Sequence, residues 1–314
     1  MNRFKNILAV YNYGQGGDNV LLQAVRLASA NRAKLTLVDT LEPPQSARSM
    51  EEAHLRLQRI VPWIAQEGLS NVTTDVLFGT CHAEIIRRVI SDDHDLVVVS
   101  AEGNAALKDV FVGSTATNLL LKCPCAVWLL KPGQSMPCMN VVAMLKSPLG
   151  EPCGHEINVK ILDLATTIAS ADNARLHVVH FWDVEGKDRE TIRSEIRRED
   201  LQRIVEKHRT DRWCALNALL TRCATRHLEQ EIHLQRGHPE PQMTRLASQL
   251  GADVIVMGSA SRVGISRLFM GNLAETVLGS VRCSLVAVKP DEFSTPIGLF
   301  ENESHCVGAH AQVH

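Results

Sequence analysis

The chain contains one unit twice. Residues 95–132, DLVVVSAEGNAALKDVFVGSTATNLLLKCPCAVWLLKP, lie over residues 253–290, DVIVMGSASRVGISRLFMGNLAETVLGSVRCSLVAVKP, without a gap, at a constant offset (253 − 95, or 158 residues). Asp95 falls on Asp253, Phe111 on Phe269, Gly113 on Gly271, Cys125 on Cys283, and Lys131-Pro132 on Lys289-Pro290. Ungapped register over that length marks a duplication, which restricts the fold to two copies of one small unit. A length of 314 residues is what two ordinary domains need. The units are expected at residues 1–133 and 138–292, with residues 293–314 as a C-terminal tail.

Each unit alternates short apolar runs with helical periodicity. In the first, FKNILAV, KLTLVDT, NVTTDVLF, DLVVVS and PCAVWLLK read as strands. Helices are expected after the turn Tyr13–Gly17, where Leu21, Leu22, Val25 and Ala28 share a face, and over Met50–Gln66, Glu84–Ile90 and Ser114–Leu121. The Met50–Gln66 pattern is carried by Leu55, Leu57, Ile60, Val61 and Ile64. The second unit repeats the order with NVVAMLK, RLHVVHF, EIHLQ, DVIVM and CSLVAVK. Its helices run through Ile161–Ile168, along a polar stretch from Lys187 to Arg212, over Met243–Leu250 and from Asn272. The polar stretch is balanced in sign and predicts a solvated amphipathic helix with Ile192, Ile196, Leu201, Ile204 and Val205 inward.

Near-continuous Val/Ile/Leu strands alternating with helices predict an α/β chain whose parallel sheets are covered on both faces. The expected class is two flavodoxin-like (Rossmann-type) parallel-sheet domains in tandem, each with strand order 3-2-1-4-5. A dinucleotide-type sheet is disfavoured, because G-x-G-x-x-G follows neither first strand. CAVWLLK and SLVAVK are apolar strands expected at sheet edges. Pairing them across a pseudo-twofold would satisfy both edges and make the chain an intramolecular pseudo-dimer, with a homodimer as a further level.

In such sheets ligands sit beyond the carboxyl ends of the strands, at the switch point. The candidate in each unit is the loop after strand four. The first reads Ser100-Ala101-Glu102-Gly103, nine residues, Gly113-Ser114; the second reads Gly258-Ser259-Ala260-Ser261, nine residues, Gly271-Asn272. Glycine lets backbone amides approach a phosphate, and a helix opening at Ser114 or Asn272 aims free N–H groups and its positive end at the anion. The helix dipole alone contributes ~0.3–1 kcal/mol, so micromolar binding needs several such contacts together.

The pattern G-x-x-G, nine residues, G-(Ser/Thr), set among DVIVMGSASR and LVAVKP, resembles the loop of the ATP-binding universal stress protein family. KCPCAVW, GHPE, GISRLFMGNLAETV and VKPDEFSTP are similar to its tandem members. The resemblance implies an adenine-nucleotide site, for ATP or AMP, built from an Asp ending strand one, a backbone contact ending strand two, and the glycine loop. These positions fall on Asn12 and Lys146, on Thr40 and Phe181, and on the loop residues Ser100, Gly103, Gly113, Ser114, Gly258, Ser261, Gly271 and Asn272.

The departures carry costs. Neither strand-one residue is Asp, Ser100 and Ser261 replace glycines, and Asn272 replaces a hydroxyl residue. Serine in place of a glycine with positive φ implies strain of ~1–3 kcal/mol. A lost carboxylate removes a charge-assisted hydrogen bond of roughly 1.5–3 kcal/mol. Asn12 keeps an acceptor while Lys146 reverses the charge, so the first unit is the better candidate. The resemblance further implies a role in surviving stress, including resistance to DNA-damaging agents, and pairing through the last strand. The rivals are a slow ATPase using the same loops and a scaffold or carrier of a non-nucleotide ligand. No residue is an evident general base or metal ligand, so at most slow turnover and no metal are expected.

Composition removes other classes. A formal net charge of −2 and 4% aromatic residues give neither a basic field nor stacking platforms for nucleic acid. No run approaches the ~20 apolar residues of a membrane helix, and the first twelve residues hold too short an apolar run for a signal peptide. Nine cysteines without framework spacing point to free thiols and a cytoplasmic location.

The remaining motifs are weak. Gly14-Gln15-Gly16-Gly17 lacks a following Gly-Lys-Ser/Thr and reads as a turn into a helix. No G-x-S-x-G is present, and His82 and His238, each just ahead of a helix, read as polar loop residues. Cys123, Cys125 and Cys138 lack zinc spacing, and Cys125 and Cys283 read as core thiols on strands. The tail histidines His305, His310 and His314 with Cys306 would hold a metal weakly only if helical, and a terminal tail with Gly308 reads as disordered.

Overall fold

The computed structural model describes residues 4–11, 16–101, 113–131, 133–134, 137–146, 152–184, 197–223, 225, 227–259, 281 and 283–298. Within them ten strands form one sheet. The first half supplies β1 (Asn6–Val10), β2 (Lys34–Leu41), β3 (Val72–Phe78), β4 (Leu96–Ser100) and β5 (Ala126–Leu130). The second supplies β6 (Asn140–Leu145), β7 (Arg175–Trp182), β8 (Gln230–Arg236), β9 (Val254–Gly258) and β10 (Ser284–Val288). Their order is β3-β2-β1-β4-β5-β10-β9-β6-β7-β8. Each half is therefore parallel with order 3-2-1-4-5, and the halves meet in one antiparallel seam. At that seam Leu285 faces Leu129, Val286 faces Trp128 and Ala287 faces Val127. The sheet as a whole is thus mixed. Each last strand, apolar and otherwise open along one side, satisfies its backbone groups on the other.

Seven helices are described: α1 (Gly17–Asn31), α2 (Ala47–Gln66), α3 (Cys81–Ser91), α4 (Ser114–Lys122), α5 (Pro152–Asp172), α6 (Arg198–Arg222) and α7 (Pro239–Gln249). One face of the sheet packs with α1, α2, α5 and α6, the other with α3, α4 and α7. No helix among the described residues is long and apolar enough to cross a membrane.

The duplication is visible in its fastenings. Asp95, just before β4, accepts the backbone N–H of Lys5 (2.7 Å) and Asn6, and Asp253, just before β9, accepts those of Met139 (2.7 Å) and Asn140 (2.9 Å). The same carboxylate thus pins the start of the central strand in each half. A further tie crosses between halves. The fully buried carboxylate of Asp172, ending α5, accepts from Arg26 of α1 (2.9 Å) and from the Cys138 N–H (2.9 Å).

Three expectations change. α2 begins at Ala47, because the Ser46 hydroxyl caps it by accepting the Ser49 N–H at 3.2 Å. Its buried stripe is Ala53, Leu57 and Ile64, and Leu55 is 45% exposed. α6 runs on to Arg222 and is anchored by Leu216, Leu219 and Leu220, while Leu201, Ile204 and Val205 are only half-buried and Ile192 and Ile196 lie outside the described residues. The charge-rich start of α6 is solvated, and its apolar anchorage comes later. Cys125 and Cys283 sit one residue ahead of β5 and β10. Cys283 is buried, whereas Cys125 is half-buried with its Sγ 3.6 Å from that of Cys123.

Candidate functional site

The carboxyl end of β4 meets the start of α4, with the ends of β1 and then β2 next along the sheet. The Tyr11 N–H, just past β1, donates to the Val38 carbonyl (2.7 Å), and the Ala101 N–H, just past β4, donates to that of Leu130 (2.7 Å). The Gly113 N–H donates to the Ala101 carbonyl at 3.4 Å and holds the start of α4 against the end of β4. Gly113 is the N-cap of α4, at φ −58° and ψ 154°, and no side chain caps the helix. Ser114, the first helical residue, is exposed. Among the described residues no side chain at the cap position takes a first-turn amide of α4, which suits an anion site at a helix start.

Ser100 belongs to β4 and pairs with Leu130 of β5. It is extended backbone, so the strain expected of a serine in place of glycine does not arise there. Thr40, near the end of β2, donates its N–H to Asp39 Oδ1 (2.8 Å), and Asp39 Oδ2 is held by Arg56 of α2 (3.1 Å). Burial pushes the Cys81 thiol up, and the nearby Thr40 side chain opposes that shift. The Cys81 N–H donates to Glu42 (3.3 Å). His82, next along α3, is pulled down by burial and then by the Lys122 charge on α4. Glu42, Cys81 and the Asp39–Arg56 pair are members of this end of the sheet that sequence reasoning missed. Only the Cys81-His82 pair at the start of a helix could have signalled them. Asn12 and Gly103 lie outside the described residues.

The second half is built differently. Lys146 follows β6, and its backbone is locked by the buried amide of Asn158 on α5. Its N–H donates to Asn158 Oδ1 (2.8 Å), and its carbonyl accepts from Asn158 Nδ2 (3.2 Å). The Lys146 stem lies across Gly258, where an added Cβ would meet Lys146 Cε at 3.2 Å and Ile157 Cγ1 at 3.3 Å, with Lys146 Nζ at 3.8 Å. Glycine at 258 is therefore a matter of space. Ser259 is buried and turns inward, its N–H and hydroxyl both donating to the Val288 carbonyl (3.0 and 3.3 Å). Phe181 is half-buried on β7, and His238 is the exposed N-cap of α7. Ser261, Gly271 and Asn272 lie outside the described residues.

A sequence model described as the universal stress protein family matches residues 3–131 and again residues 154–289. The chain belongs to the universal stress protein family. Because the match occurs twice, it is a tandem member, and membership supports a stress-response role. Universal stress protein E of Escherichia coli (strain K12) is 28% identical over 96% of this chain and 99% of its own length. The protein of that name from Photorhabdus laumondii is 27% identical over 95% and 98%. Among solved structures, a putative universal stress protein from Pseudomonas aeruginosa UCBPP-PA14 superposes with a TM-score of 0.73 at 22% identity, covering 93% of this chain and 95% of its own. One from Archaeoglobus fulgidus DSM 4304 gives 0.59 at 14% identity, over 91% and 99%. The tandem arrangement of family folds is thus shared along nearly the full length.

Proposed function

We propose that this tandem family member is a cytoplasmic stress-response protein whose first half binds an adenine nucleotide, ATP or AMP, without rapid turnover. The observation that carries the reading is the start of α4. Among the described residues its amides have no side-chain cap, glycine stands at the cap position, and a backbone hydrogen bond holds it to the end of β4. Gly113 and Ser114 would receive the phosphates together with Gly103, while Asn12, Thr40 and Ser100 would face the nucleoside. In the second half, Gly258, Ser261, Gly271 and Asn272 are the matching positions, but Lys146 lies over Gly258 and leaves a weaker or different site. The seven described free cysteines accord with a reducing compartment. The antiparallel pairing of β5 with β10 supports an intramolecular pseudo-dimer. The expected cellular consequence is survival under stress, including exposure to DNA-damaging agents.

The test is direct. Purified protein is denatured and its supernatant assayed for adenine nucleotide, and the emptied protein is melted with and without ATP. Released nucleotide or an ATP-dependent rise in melting temperature is expected. Neither appearing would refute the reading.

A further inference from the structure

At the opposite, amino end of the second half's strands, three side chains converge on the face that packs with α7. Parallel register sets His177 of β7 beside Glu231 of β8, and His233, two residues on, shares that face. His177 Nδ1 lies 3.1 Å from His233 Nε2 and 3.7 Å from Glu231 Oε2, and His233 Nε2 lies 4.0 Å from Glu231 Oε1. An ion with bonds of about 2.0–2.2 Å separates its tetrahedral ligands by roughly 3.3–3.6 Å. The two nitrogens stand close to that spacing, each with a different Glu231 oxygen nearby, and one ligand atom from each residue falls within 4.8 Å of the other two, so a small turn of the exposed carboxylate would complete the set. His177 is 3% exposed and His233 12%, while Glu231, at 57%, opens the cluster to solvent.

The outer partners fix the inner ring. Asn140 Nδ2 donates to the Gly251 carbonyl (3.3 Å), which turns Oδ1 toward His177, 3.2 Å from its Nε2. Nε2–H is therefore the donor, and Nδ1 points an unprotonated lone pair at the cluster's centre, the way outer hydrogen bonds orient metal-bound histidines. Arg175 and Glu229, paired with each other at 2.6 Å, are the other charges nearby. The first half makes a contrast. At the equivalent register points stand Thr36, Thr73 and Asp75. Thr36 is bonded to Thr73 (3.2 Å) and to His94 (3.0 Å), which closes the face with ordinary hydrogen bonds. The residue matching His94 at the repeat offset is Ala252.

We propose that His177, His233 and Glu231 form a binding site for a divalent transition cation of the zinc class, with a fourth position left to water or an outside ligand beside Glu231. Two imidazoles and one carboxylate suit zinc and its neighbours and disfavour magnesium or calcium. The full-length chain, stripped with chelator, is titrated with Co²⁺ for its ligand-field absorption and with Zn²⁺ for stoichiometry, beside His233→Ala and Glu231→Gln. Both variants keep the C-terminal histidines and all cysteines, so only a difference from wild type counts. Wild type should bind one equivalent more than His233→Ala, Glu231→Gln should weaken that equivalent at least tenfold, and Asn140→Ala should weaken it about 10- to 100-fold. Glu231 is exposed, so Glu231→Gln is read against an unchanged metal-free melt. Equal stoichiometry and affinity in wild type and both variants, or no binding by any, would overturn the proposal and leave a histidine pair joined by a hydrogen bond.

Discussion

Replacing Gly113 by Asp separates the helix from its ligand. At φ −58° and ψ 154° the position is open to any L-residue, so the change adds no backbone strain. Asp is a preferred N-cap, and its carboxylate would accept first-turn N–H groups of α4 and complement the helix dipole. Over a glycine cap this is worth a few tenths to about 1 kcal/mol, so the ligand-free protein should melt roughly 1–3 °C higher. The same carboxylate occupies the amides that a phosphate needs. Loss of one charge-assisted hydrogen bond costs about 1.5–3 kcal/mol, a roughly 10- to 150-fold weaker Kd. Repulsion between two like charges about 4 Å apart adds up to ~4 kcal/mol near a protein surface before salt screening. Calorimetric titration with ATP and AMP should therefore show binding weakened at least about a hundredfold, with Gly113→Asn intermediate because it caps without the charge. Wild-type affinity in Gly113→Asp, or a ligand-free melt several degrees lower, would refute the reasoning.

Other consequences concern the fold. Trp128, fully buried at the seam opposite Val286, should cost about 3–5 kcal/mol on Trp128→Ala, and denaturant unfolding followed by circular dichroism should remain one transition. Two separated transitions, one at the wild-type midpoint, would contradict a shared core. His180 is buried with Nδ1 on the Leu145 carbonyl (3.3 Å), and burial pulls it down to about 4. A lowered histidine stabilises the fold fully above its unfolded value near 6.5, and that contribution is lost as pH falls toward 4. About 3 kcal/mol should vanish across that window, and His180→Phe should flatten this part of the stability profile. Asp172→Ala removes the acceptor for Arg26 and for the Cys138 N–H and should cost about 1–3 kcal/mol in urea unfolding, with Asp172→Asn losing less.

Much of the architecture was legible because the duplication and the strand patterns are one-dimensional signals. The ten strands fall within a residue or two of their apolar runs, and the order 3-2-1-4-5 follows from right-handed crossovers. What stayed hidden depends on neighbours in space. Leu55 matches a helical spacing, yet Ala53 and Leu57 hold the buried stripe because the rotation of α2 is set by its packing on the sheet. Ser100 closes the run DLVVVS and also opens the candidate loop, and the ladder with β5 keeps it extended, so the strain expected of the loop does not arise there. The clasp between Lys146 and Asn158 joins a strand end to a helix interior twelve residues on, without any motif. His177 stands more than fifty residues from Glu231 and His233, and only the β7–β8 register brings them side by side.

The antiparallel seam has an evolutionary corollary. In a twofold assembly of identical subunits, every substitution is inherited at both symmetric places, so a change helpful at one can be ruinous at the other. Joining the partners in a single polypeptide releases that constraint while β5 and β10 keep them in register. Asn12 and Lys146, or Thr36 and His177, can then drift apart under separate selection. One half is thereby free to retain an old task while the other is refitted for a new one.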